Sequence, residues 1–231
     1  MTSTVHSVER AFRILETFDE ERPARTAAEI AALTGLPRPT TYRMLQTLQQ
    51  LGYVTNTAGM FSVTPRVLKL GAGHLGRTSL AARAQPVLDR LSEAHGEHVA
   101  LGVLDGDDVI TLAASTSPRS RFLSVAIQVG QRLPASATSL GRVLLAHRHG
   151  PSDPDEEAIL ESGHFISDGL LESGLRALGV PIRGPDGQVV AAMSIAVNSG
   201  RVSLAELGER CLPLLLEAAD EVHRRFDPLQ Y

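Results

Sequence analysis

Chemistry in this 231-residue chain has few places to reside. Its only cysteine, Cys211, cannot form an internal disulfide and excludes a multi-cysteine zinc site. It sits beside Leu212 and Leu214 and reads as core rather than as a nucleophile. His95 and His98, and His147 and His149, are spaced closely enough to suggest metal. Neither pair belongs to an HExxH pattern, so no metal site is expected. No G-x-S-x-G appears and no Ser/His/Asp order is diagnostic, so no catalytic residue and no enzyme is predicted. Gly71-Ala-Gly-His-Leu-Gly76 fits G-x-G-x-x-G, but the run before it is spaced like a helix, not like the strand a dinucleotide site requires. No cofactor is expected. What remains is a row of side chains suited to DNA: Arg38, Thr40, Thr41, Arg43, Gln46 and Thr47 on one candidate helix, with Asn56 and Thr57 in a hairpin just after it. Guanidiniums clamp phosphates or pair bidentately with guanine, and hydroxyls and amides take phosphates or base edges.

The elements around these residues follow a known order. Val8, Ala11, Phe12, Ile14, Leu15 and Phe18 keep helical spacing, with Ser7 as N-cap and an end before Pro23. Thr26-Ala-Ala-Glu29 is a capping box that opens a short helix, and Gly35 stops it. A third helix starts near Pro37-Arg-Pro39 and stops at Gly52. It sets Thr41, Leu45, Leu48 and Leu51 inward and Arg38, Thr40, Arg43, Gln46 and Thr47 outward. Thr41 therefore belongs to the DNA-binding helix while its side chain is expected to face the core. Two β-type runs flank Thr57-Ala58-Gly59. Helix, capped helix, turn, exposed basic helix and hairpin make a winged helix-turn-helix over residues 1–65, with the third helix in the major groove.

Charge supports the same division. Residues 1–77 carry nine basic and six acidic side chains, and residues 78–231 carry 13 and 20. With a Debye length of about 8 Å, a polyanion meets the basic head locally despite the net charge of −4. An apolar share of 43% suits a globular core, and aromatics at 4% with no Trp argue against a single-strand stacking platform. No apolar run reaches membrane-spanning length and no signal peptide is read, so a cytoplasmic protein is expected.

A linker helix is expected over 66–78, after a Thr64 cap, and an α+β domain over 79–231. Its helix near 79–94 should be kinked or split by Pro86. β-type runs lie at Val99–Leu104, Val109–Ala114, Phe122–Val129, Leu178–Ile182 and Gln188–Val197. One helix covers about Thr138–His147 and a final amphipathic helix runs from Leu204 to Phe226. Helices flanking an antiparallel sheet define the fold class.

Val8-Glu-Arg-Ala-Phe-Arg-Ile-Leu15, the block Ala28 to Leu48, Leu51-Gly-Tyr-Val54, Leu133 to Ala146, Glu172 to Pro181 and Val189 to Ile195 together resemble the IclR family of bacterial transcriptional regulators. Arg121-Phe-Leu-Ser-Val125 and Gly200 to Leu207 look most like its branch that senses acids of the protocatechuate and β-ketoadipate pathway. The resemblance implies a GAF-like sensor domain, a double-stranded DNA operator, a small organic acid effector, and a homodimer or dimer of dimers. It implies a carboxylate held by the backbone amides of Ser139 and Leu140, with Ala137 and Thr138 nearby. Arg121 supplies a charged clamp, Val125 and Leu133 apolar walls, and Asp168, Leu175, Ala177 and Ser194 the far side. Ser136-Ala-Thr-Ser-Leu-Gly141 leads into a helix, whose free N–H groups suit a carboxylate. The stretch from Leu145 to Gly174 is shorter than the family usually has and reads as loop plus one short helix, which puts part of the pocket's roof in question. Two other readings stay open at this point: a DNA-binding dimer whose second domain only oligomerises, and an enzyme with an appended helix-turn-helix.

Overall fold

The computed structural model describes residues 5–19, 22–72, 79–118, 127–148, 150–151 and 153–225. The chain forms two compact units, one up to residue 74 and one from residue 75. No described helix is long and apolar enough to cross a membrane.

The first unit opens with α1 (His6–Leu15), whose N-cap is Val5 without a side-chain cap bond. Ser7 thus lies inside the first turn rather than capping it. A short strand β1 (Ala24–Thr26), which periodicity could not reveal in three residues, leads into α2 (Ala27–Thr34). Both halves of the Thr26/Glu29 capping box form, and Gly35 closes the helix at φ 68°. After the turn, α3 (Arg38–Gln50) carries Pro39 in its first turn, where the missing N–H costs nothing. Strands β2 (Val54–Thr57) and β3 (Met60–Val63) follow, and the sheet order is β1-β3-β2. Their loop is two residues, Ala58 and Gly59, both at positive φ, closed by the Gly59 N–H donating to Asn56 Oδ1 at 2.9 Å. Ile14, Ile30, Leu45, Leu48, Val54 and Phe61 form the core. Leu51 is not part of it: as the C-cap of α3 it lies half exposed. Thr64 caps a 3₁₀ turn (Pro65–Val67) that runs into α4 (Leu68–Gly71), and the rest of the G-x-G-x-x-G stretch, 73–76, lies outside the described residues.

The second unit begins with α5 (Leu80–His95), capped by Ser79 and closed by Gly96. Pro86 does not split it. The proline lies on the exposed side of the helix, where its ring meets no packed neighbour element. Strands β4 (His98–Asp105), β5 (Asp108–Thr116) and β6 (Arg132–Pro134) follow. The expected strand Phe122–Val129 falls largely outside the described residues, and 127–129 are not strand. A 3₁₀ turn (Ala135–Ala137) leads into α6 (Ser139–Arg148). The stretch read as loop plus one helix contains α7 (Pro154–Ser162), capped by Asp153, and also an edge strand, β7 (Phe165–Asp168). Strands β8 (Leu175–Arg183) and β9 (Val189–Asn198) complete an antiparallel sheet of order β6-β5-β4-β9-β8-β7. The final helix comes in three parts: α8 (Leu204–Glu206), a π turn (Leu207–Cys211) and α9 (Leu212–Arg224). One sheet face buries Val99, Leu101, Met193 and Ile195 against α5 and α9. The other buries Ala100, Val109 and Ala192 with Leu140, Val143 and Leu144 of α6. The expected α+β class, a winged helix-turn-helix followed by an antiparallel sheet between helices, is the fold observed.

Candidate DNA-binding face and effector cavity

On α3 the side chains divide as a 3.6-residue period demands. Thr41, Leu45 and Leu48 are buried, while Arg38, Arg43, Gln46 and Thr47 are exposed and Thr40 is half-buried. Among the described residues no hydrogen bond or ion pair holds the guanidinium of Arg38 or Arg43, so both are available to an anion. Thr41 is fully buried and its hydroxyl donates to the Pro37 carbonyl at 3.3 Å. It supports α3 from within and is withdrawn from the DNA-facing set. The Thr47 hydroxyl donates to the Arg43 carbonyl at 3.1 Å. In the wing, Thr57 is exposed at the hairpin tip, and Asn56 is half-buried with its side chain committed to the turn. Two of the head's basic residues are structural. Arg25 bonds the Thr17 carbonyl at 2.6 Å and Asp19 at 2.7 Å, and Arg22 pairs with Glu29 at 3.5 Å.

In the second unit a cavity lies between the sheet and the start of α6. Its walls include Leu133 of β6, Ala137, Thr138, Ser139 and Leu140 at the helix start, Leu175 and Ala177 of β8 and Ser194 of β9. These eight expected residues converge from four elements far apart in sequence. Val109, Thr111, Ile127, Ser167, Leu171 and Ala196 also line it. Sequence reading missed these six; Val109, Thr111 and Ala196 were detectable as alternate positions of strands already assigned. The described lining is uncharged, so its polarity comes from Thr and Ser hydroxyls and from backbone. The space open to the centre of a water molecule is about 20 Å³, little more than one water needs.

The first turn of α6 is held by close backbone packing. A Cβ on Gly179 would lie 2.6 Å from the Ser139 carbonyl oxygen, and one on Gly141 would lie 2.1 Å from that of Ala135. Only glycine lets the helix start sit this close to β8 and to the preceding turn. Thr138 Oγ1 accepts from the Gly141 N–H at 2.9 Å, as an N-cap does. The N–H groups of Ser139 and Leu140, the first two residues of α6, have no intrahelical acceptor by construction, and both residues line the cavity.

Asp168 is the exception among the described site residues. It lies at the exposed end of β7 in a two-point ion pair with Arg176, at 2.9 and 3.1 Å. Arg176 also donates to the Ser199 and Val202 carbonyls. Adjacent strand residues face opposite sides of a sheet, and the residue of β7 on the cavity is Ser167, whose hydroxyl donates to the Ala177 carbonyl at 3.3 Å. Arg121 and Val125 lie outside the described residues. Among the described residues no cluster suited to a metal ion occurs. His98 is buried with Nδ1 2.6 Å from Thr116 Oγ1, and Nδ1 of His147 bonds the Val143 carbonyl. Cys211 packs half-buried at the edge of the core under α9, where burial pushes its thiol pKa up and away from nucleophilic use.

Residues 7–58 match the IclR helix-turn-helix domain, and residues 72–165 match the C-terminal domain of IclR bacterial transcriptional regulators. The Pca regulon regulatory protein of Pseudomonas putida is 37% identical, across 95% of this chain and 84% of its own. The Pca operon regulatory protein of Acinetobacter baylyi is 31% identical, across 94% and 88%. Among solved structures, an IclR homolog of Microbacterium hydrocarbonoxydans complexed with 4-hydroxybenzoate aligns with a TM-score of 0.80 at 27% identity, covering 95% of this chain and 98% of that one.

Proposed function

Because this chain belongs to the IclR family of bacterial transcriptional regulators, we propose that it reads its operator with α3 and the wing and adjusts that binding to an aromatic carboxylate held in the cavity beside α6. That it is a DNA-binding transcriptional regulator follows from the family itself. The assignment of residues is the proposal. Arg38, Thr40, Arg43, Gln46 and Thr47 face the major groove, and Thr57 with the hairpin tip tracks a phosphate backbone. The carboxylate accepts from the Ser139 and Leu140 N–H groups, where the helix dipole favours negative charge. Leu133, Leu175 and Ala177 pack on the ring, and the Ser194 hydroxyl takes an oxygen. The Pca regulators it resembles and the 4-hydroxybenzoate in the aligned homolog support this ligand class.

The observation that carries the reading is a cavity, uncharged among its described residues, whose polar wall is the capped start of α6, since such a wall selects a carboxylate over a cation. Two copies are expected to act together. Val5, Val8 and Phe12 lie half exposed or more along α1, at spacings of three and four residues. That stripe suits the same stripe on a second copy, in keeping with a pseudo-palindromic operator.

The test is fluorescence anisotropy of the full chain with DNA from upstream of its own gene. Salt is titrated against random-sequence competitor, with and without benzoate, hydroxybenzoates and short-chain acids. Competitor-resistant binding that weakens steeply with salt and shifts with an aromatic acid is expected. Operator binding indifferent to every acid, with no thermal shift from any, would leave the second domain an oligomerisation module.

A further inference from the structure

Among the described residues, two buried side-chain atoms have no hydrogen-bond partner, His98 Nε2 and Glu172 Oε2. Buried polar atoms are almost always paired, and both residues stand next to the cavity lining, Glu172 along the chain and His98 across the sheet. Glu172 lies between Leu171 and Leu175, both in the cavity wall. His98 lies on the cavity's face of the sheet. It stands opposite Ala196 of β9, which pairs in turn with Ala177 of β8, and that residue with Ser167 of β7. Directly opposed residues of antiparallel strands share a face, and Ala196, Ala177 and Ser167 all line the cavity. His98 therefore shares the cavity's face of the sheet, one strand beyond Ala196, and borders the floor without lining it.

The His98 ring is fixed and neutral. Nδ1 is 2.6 Å from Thr116 Oγ1, and burial holds the imidazole pKa down. Nε2 is left over, and a ring in this state either accepts from or donates to a hydroxyl. The floor between it and α6 is made of small residues, Ala177, Ser194 and Ala196. Ser139 packs on Gly179, which pairs with Ser194 and through it with Ala100, two residues from His98. Two strand spacings across and two residues along put His98 on the order of 12 Å from the start of α6. One aromatic ring with polar groups at opposite ends, plus a hydrogen bond at each, spans such a gap.

We propose that His98 is a specificity-determining residue of the effector site, its Nε2 pairing with a ring hydroxyl, so that the ligand class is hydroxylated aromatic carboxylates rather than plain ones. This rests on the reading of the cavity as a carboxylate site. The experiment is calorimetric titration of the full chain with benzoate, 3-hydroxybenzoate and 4-hydroxybenzoate, on wild type, His98→Phe and His98→Gln. Wild type is expected to bind at least one hydroxybenzoate about tenfold tighter than benzoate, the value of one hydrogen bond to a buried group left otherwise unpaired. His98→Phe should erase that preference and leave benzoate within about twofold, while His98→Gln keeps part of it. In wild type, the ¹⁵N resonance of Nε2 should move with the preferred hydroxybenzoate and not with benzoate. A preference that survives His98→Phe, equal loss of all three acids, or an unmoved Nε2 resonance overturns the role of His98 while leaving the carboxylate site standing. Failure of all three acids to bind wild type overturns the site and His98 with it.

Discussion

Gly179→Ala probes the helix start without removing any proposed ligand contact. The new Cβ would stand 2.6 Å from the Ser139 carbonyl oxygen and 2.8 Å from its carbon, both backbone, where ordinary contact begins at 3.4 Å. No side chain can rotate away, so the first turn of α6 must retreat from β8 by about 0.8 Å. Overpacking of this kind costs about 1–3 kcal/mol. For a domain of this size that lowers Tm by about 2–4 °C per kcal/mol. The Ser139 and Leu140 N–H groups move with the turn, and charge-assisted hydrogen bonds are worth about 1.5–3 kcal/mol each. Loss of the better part of one predicts at least a tenfold weaker acid affinity by calorimetry. Gly208→Ala is the control, because its Cβ would meet only Ile166 Cδ1 at 3.8 Å. It should keep both Tm and acid affinity. A Gly179→Ala protein that melts and binds like wild type would refute the argument that this contact positions the carboxylate site.

Arg43→Ala should weaken operator binding by about 1–3 kcal/mol if the guanidinium pairs with a base, whereas Thr41→Val, being internal, should leave base preference unchanged; competition across single-base operator variants separates the two. Phe12→Asp should weaken the proposed dimer: Phe12 is already half-buried, so docking gains about half of the roughly 1.5–3 kcal/mol of a full burial in each copy, and light scattering should show the dimer Kd raised by at least about tenfold. For His98 the sign follows from burial. Its folded pKa lies below the ordinary 6.5, so the unfolded chain takes up a proton first as pH falls, and stability present above about 6.5 is lost below it. That contribution amounts to at most about 1.4 kcal/mol between pH 7.5 and 5.5. Urea unfolding at the two values should show this slope in wild type and its absence in His98→Gln.

The head was legible because its signals are local. A capping box, a stop glycine and a helix with one basic face each declare themselves within a dozen residues, and α2 and α3 stand where those signals put them. What failed there depended on tertiary context: Leu51 keeps the helical spacing yet falls on the helix end, where no partner covers it. In the second unit the strands with β-branched runs were legible, but β7 was not. Phe-Ile-Ser-Asp follows a helix stop at Gly163 and has two apolar residues, too few for a period. It is a strand because β8 offers it an edge. The same weakness produced the error at Asp168. A resemblance fixes a segment, but a slip of one residue turns a strand's side chains to the other face, and here that slip is the difference between an ion pair with Arg176 and a hydroxyl in the cavity wall.

The narrowness of the cavity bears on how such a site could regulate. Room for about one water cannot take an aromatic acid, so binding must move some of the lining. The apolar floor on β8 and β9 is part of a packed sheet and yields little. The start of α6 is pinned by Gly179 and Gly141 through backbone contacts, and Thr138 locks its first turn. The lining with fewest strand neighbours is at the rim: Leu133 on the three-residue edge strand β6, paired with β5 alone, and Leu171, in the connection between β7 and β8. A ligand shifts an equilibrium only by its differential affinity for the two states. On the proposed reading, a cavity that must open to be filled would draw that difference from its rim, while the pinned wall at α6 would supply the carboxylate affinity common to both.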